Sequence, residues 1–197
     1  TYNALGQALG LYSQTNNIDS TIQFNTEFAW DFDTSDGFTG VSSDFIGVAI
    51  HEIGHALGWA SGVVQSGGGT AANTDVLRYQ NGQWSMAWGG NPYLSIDGGD
   101  TQIFGRSWMS TGADGRQTSH WKDGARIHDG INCTILLEPQ IGIMDPTGGS
   151  CQQAIVTAAD LAVMDAIGWT LAWNILDTPE YAMNSGTIRQ MFFPTSV

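Results

Sequence analysis

Three stretches of the chain carry apolar residues at helical spacing. In residues 1–12, Tyr2, Leu5, Leu9 and Tyr12 fall on one face, which predicts a helix. In residues 157–169, Leu161, Met164 and Ile167 form the apolar stripe. Thr157 and Asp160 are spaced as a cap, and Gly168 stands where the helix should stop. The third stretch, residues 44–62, is apolar almost all round: Phe45, Ile46, Val48, Ala49, Ile50, Ile53, Ala56 and Leu57. That pattern predicts a buried helix, ended by Gly58 in a left-handed turn.

Elsewhere the pattern is short and alternating. Ile22 and Phe24 among polar neighbours predict a strand over 20–29, after a turn at 16–20. Residues 62–99 are rich in turn signals, with short strands expected at 76–79, 84–88 and 93–96 and another at 103–109. Asn81-Gly82 and Asp97-Gly98 both read as hairpin turns. Trp84, Trp88 and Trp108 lie in this region and are expected in the core. Residues 135–137 are short and apolar, and the chain from Leu171 reads as a short helix or an extended tail. No internal repeat is visible.

Composition narrows the class. The chain has 197 residues, 42% hydrophobic and 13% charged, which is too apolar for a disordered protein. Its 26 glycines imply many turns. A net charge of −13 disfavours nucleic acid and anionic membranes as partners. No run of 18 apolar residues predicts a membrane span. Asp31, Asp33 and Asp36 lie close together before Gly37. Their spacing is not that of an EF-hand, so a solvated acidic turn is expected, with Ca²⁺ unsupported.

The apolar helix also carries chemistry. His51, Glu52 and His55 stand in the spacing HExxH. Histidines four apart project from one helical face, so two imidazoles can bind one Zn²⁺. Glu52, beside the first, can act as general base toward water at the metal. Buried imidazoles need partners, and a metal supplies them. Two imidazoles leave the set a ligand short, and the nearby Ser61 offers only a hydroxyl, a poor zinc ligand. The remaining candidates are His120, His128 and Glu138. Of these His120, beside the bulky Trp121, is favoured.

The string HEIGHALG at 51–58, SHWKDG at 119–124, GIMDPT at 142–147 and AIGW at 166–169 resemble the leishmanolysin-like metzincins. The likeness spans residues 20–169. In that family an insertion separates the glycine turn from the third His. The resemblance implies an α+β, two-lobed zinc protease domain. Residues 1–58 would form the N-terminal lobe with the active-site helix, and 59–197 a loop-rich C-terminal lobe. It implies His51, His55 and His120 as zinc ligands, Met144 in a Met-turn beneath them, and a secreted metalloendopeptidase acting on protein or peptide substrates. The strand before the helix would line the cleft and receive the substrate. Two departures stand out. His120 and Met144 are 24 residues apart, and only one strong strand candidate precedes the helix. The second suggests either upstream residues removed or lost, as by cleavage of an N-terminal segment, or a reduced N-terminal sheet, and the uncapped start at Thr1 favours the first.

Cys133 and Cys151 bracket the GIMDPT turn. A disulfide there would brace it and fit a secreted protein; two free buried thiols are the alternative. Two other functions remain open on sequence alone. One is a zinc-holding adhesion or recognition module without turnover, against which Glu52 argues. The other is a hydrolase of non-peptide amides.

Overall fold

The computed structural model describes residues 3–11, 13, 18–36, 42–124, 140–148 and 152–192. Helices and very short strands mix along it. In order they are α1 (Asn3–Ala8), β1 (Trp30–Asp31), β2 (Ser43–Asp44), α2 (Phe45–Ala56), β3 (Arg78–Gln80), β4 (Gln83–Trp84), β5 (Tyr93–Leu94), β6 (Ile155–Thr157), α3 (Ala158–Ile167), β7 (Ala182–Asn184) and α4 (Ser185–Phe192). β1 runs parallel to β2, β3 lies between β4 and β5 in an antiparallel sheet, and β6 pairs antiparallel with β7.

α2 starts and stops for local reasons. Asp44 caps it by accepting the Gly47 N–H at 2.9 Å. At the other end Gly58 has φ +114°. Its N–H reaches the His55 carbonyl and the Trp59 N–H reaches the Gly54 carbonyl, both at 3.0 Å. That is a Schellman ending, which a left-handed residue makes possible. A Cβ at Gly58 would lie 2.9 Å from the Leu5 side chain, so this turn also seats α1. Thr157 and Asp160 cap α3 as the sequence predicts, and Gly168 ends it.

The core gathers around Trp59 and Trp121, both fully buried, with ring centroids 4.9 Å apart in an edge-to-face pair. Leu94, Met109, Met144 and Val163 pack with them. The two halves of the chain are tied across residue 58. The Trp169 indole donates to the Leu57 carbonyl at 2.9 Å, and Asp44 accepts from the Ala154 N–H at 3.0 Å and from the Ser185 hydroxyl.

Several expectations need correction. α2 is not buried: Gly47 alone is fully covered, and Ile53 is 46% exposed. Gly47, Val48, His51 and Glu52 line a cavity on one side of the helix, and its Ile53 side is left open by the described residues. The helix predicted for 1–12 is shorter, because Gly10 at φ +68° turns the chain and leaves Leu9 and Leu11 exposed. No strand forms over 20–29. Asn25 instead makes a side-chain turn, accepting the Glu27 N–H at 2.9 Å, and its carbonyl takes the Trp30 indole N–H at 2.8 Å. Trp84, Trp88 and Trp108 are all more than a third exposed, since the short strands around them bury little. The Asn81-Gly82 hairpin joins β3 to β4, with positive φ at both residues. Asp97-Gly98 makes no hairpin. Asp97 is held by the Ser95 and Thr101 hydroxyls, which keep its carboxyl down at about 2. In α3 the fully buried positions are Ala158, Ala159, Asp160, Ala162, Val163 and Ile167, while Leu161 and Met164 are half-buried at the edge. The chain beyond Leu171 forms both an extended strand and a helix. The acidic stretch folds as a turn: Asp33 takes the Ser35 hydroxyl and pairs with Arg189 at 2.9 Å. Residues 135–137 lie outside the described residues.

Candidate metal centre

His51 and His55 project from α2 toward His120, which lies 65 residues further on. The Nε2 atoms of the three rings form a triangle with every side 3.2 Å. Each ring is fixed from behind through Nδ1. His51 Nδ1 is 2.8 Å from the Ile143 carbonyl, His55 Nδ1 is 2.7 Å from the Trp59 carbonyl, and His120 Nδ1 is 3.2 Å from the Gln117 carbonyl. A carbonyl only accepts, so each Nδ1 carries a hydrogen, and in the neutral imidazole that leaves Nε2 with its lone pair. Burial pushes His120 down to about 4, and the neighbouring imidazoles add to it. Burial likewise lowers His51, partly offset by the Ile143 carbonyl.

Three lone pairs aimed at one point repel unless a cation sits among them. Two bonds of roughly 2.0–2.1 Å meeting at a tetrahedral angle separate their nitrogens by about 3.3–3.4 Å. The observed 3.2 Å edge fits. These three histidines can hold one metal ion.

The His51 ring is held by a turn at Gly142–Asp145, closed by the Asp145 N–H on the Gly142 carbonyl at 3.3 Å. Its Ile143 carbonyl faces His51, and its Met144 carbonyl accepts the Trp121 N–H at 3.0 Å, next to His120. Asp160 of α3 supports the turn from below. It accepts from the N–H groups of Ile143 (2.9 Å), Met144 (3.4 Å) and Thr157 (2.7 Å), the Thr157 hydroxyl (3.0 Å) and the Trp121 indole (2.8 Å). Burial raises this carboxyl, and the Thr157 N–H, the Trp121 indole, the Ile143 N–H and the Thr157 hydroxyl pull against the rise. Gly142 leaves room for it, since a Cβ there would lie 2.1 Å from the Asp160 carboxylate. On the other side Arg78, fully buried, donates to the carbonyls of Ser110 (3.1 Å) and Thr118 (3.5 Å) and so braces the approach to His120.

Glu52 and His51 line one side of a cavity of about 270 Å³, whose walls include Trp30, Val48, Ile143 and Gln152. A molecule in this cavity lies against Glu52.

Of the residues singled out in the sequence, His51, His55 and His120 converge. Glu52 sits beside them, Met144 lies in the supporting turn, and Gly58 ends the helix. His128, Glu138, Cys133 and Cys151 lie outside the described residues. Asp160, Gly142 and Arg78 were not anticipated in these roles. Asp160 carried a signal, its place in the α3 cap, but nothing local tied it to Trp121 or to residues 143–144. No helix among the described residues is long and apolar enough to cross a membrane. Compared with protein-family models, curated proteins and solved structures, the chain matches none.

Proposed function

We propose that the chain is a secreted, metzincin-like zinc endopeptidase. The observation that carries the reading is the triangle of three Nε2 atoms, two of them from a helix that also presents Glu52. Three imidazoles suit zinc, and three protein ligands leave a fourth position open, as catalytic zinc sites do. When bound, zinc acidifies water and polarises a carbonyl. The chain's own residues do the rest. The carbonyls of Ile143, Trp59 and Gln117 fix the imidazole orientation. Glu52 takes the proton from the attacking water and returns it to the departing amine. The cavity between α2 and the turn after Met144 receives a substrate side chain. The turn at Gly142–Asp145, with Met144 packed under Gly54 of α2, supports reading it as the Met-turn that the resemblance implies.

The test is the Glu52→Gln variant. It should bind zinc like the wild type and lose about 10²–10⁴-fold in peptide cleavage, the usual share of a general base. Chelation should abolish, and zinc restore, the wild-type activity on casein or gelatin. Full activity in the variant, or chelator resistance, contradicts the proposal.

A further inference from the structure

The chain has six Lys and Arg residues against nineteen Asp and Glu, so the placement of each cation matters. Arg78 is buried on backbone carbonyls. Arg116 pairs with Asp123 at 2.8 Å, and Arg189 with Asp33 at 2.9 Å. Arg126 lies outside the described residues. The two that remain, Arg106 and Lys122, have no carboxylate partner among the described residues, and both line one concavity of about 520 Å³. Trp108 stands between them in the fold: it follows Arg106 by two residues, and its carbonyl accepts the Lys122 N–H at 2.9 Å. Asp123 also lines the concavity, but its carboxylate is engaged by Arg116 and by the Thr147 hydroxyl at 2.6 Å. Gln140 lines both this concavity and the cavity beside His51 and Glu52, so the two adjoin. Lys122 is two residues from His120.

We propose that this concavity is a subsite for a carboxylate carried by the substrate, an Asp or Glu side chain or a peptide C-terminus. Two cations with no carboxylate partner among the described residues, beside an exposed indole in a chain of net charge −13, make a cationic patch next to the candidate metal centre. The guanidinium of Arg106 offers a fork to the carboxylate and Lys122 a point charge. The inference deepens the peptidase reading and rests on it for the nature of the substrate, but binding tests it without turnover.

The full chain is titrated by calorimetry with a neutral, end-blocked octapeptide, with versions carrying one Glu at each position in turn, and with a version bearing a free C-terminus. At low salt an acidic version should bind about tenfold more tightly than the neutral one. The preference should shrink with added salt and vanish in the double variant Arg106→Gln, Lys122→Gln with an unchanged melting temperature. Gain by an internal Glu or by the free terminus tells which source of carboxylate the subsite takes. Equal affinities up to millimolar peptide, or a preference that survives the double substitution, overturn the inference. A chain that discriminates the peptides yet cleaves none keeps the subsite and loses the peptidase reading; one that cleaves all equally does the reverse.

Discussion

Met144 packs so closely under Gly54 that a Cβ on Gly54 would lie 2.6 Å from its sulfur. Gly54 sits between His51 and His55 on α2, so the missing side chain is what lets the supporting turn reach the helix that carries both histidines. Replacing a helical glycine with alanine ordinarily stabilises by roughly 1 kcal/mol. Here Gly54→Ala should instead destabilise by about 1–3 kcal/mol, the cost of overpacking. Denaturant unfolding of the two proteins measures it, and a gain in stability would contradict this packing.

Asp160 joins the cap of α3, the indole next to His120 and the turn that holds His51. Asp160→Asn keeps the shape but points an amide donor at donors. It should cost at least about 1–3 kcal/mol and lower zinc affinity about 10–100-fold, as loss of an outer-shell partner does. Unfolding and competitive metal titration read the two effects separately.

Sequence reached the centre of this molecule more surely than its frame. His51 and His55 were legible because four-residue spacing on a helix is local geometry, and His120 because the chain has only four histidines. The ending of α2 at Gly58 and the capping of α3 were legible for the same local reason. The strand expected at 20–29 was not, because alternation marks a half-buried extended chain whether or not a neighbouring strand pairs with it, and Asn25 turns it away. The burial of α2 was misread because hydrophobicity all round a helix does not say which neighbours cover it; Ile53 is left open. The ties of Asp160 and Arg78 span dozens of residues and leave no periodic trace.

Asp145 gives a pH dependence with a definite sign. It is buried, its Oδ2 has no hydrogen-bond partner among the described residues, and desolvation with the nearby Asp160 holds its carboxyl well above the ordinary range. A raised carboxyl contributes its stability below the unfolded value and loses it as pH rises through the folded one. Asp145→Asn mimics the protonated acid. It should raise the melting temperature at neutral pH, by a few degrees if about 1 kcal/mol is recovered, and the gap should close on acidification toward pH 4. A variant less stable than wild type at pH 7–8 would contradict this.

The central claim is that the Nε2 atoms of His51, His55 and His120 share one ion. Equilibrium zinc titration of the wild type and of single variants tests it most directly. One ion should bind per chain, His120→Ala should lose at least about 10²-fold in affinity, and His128→Ala and Glu138→Gln should bind like the wild type. Unchanged affinity in His120→Ala would contradict the account.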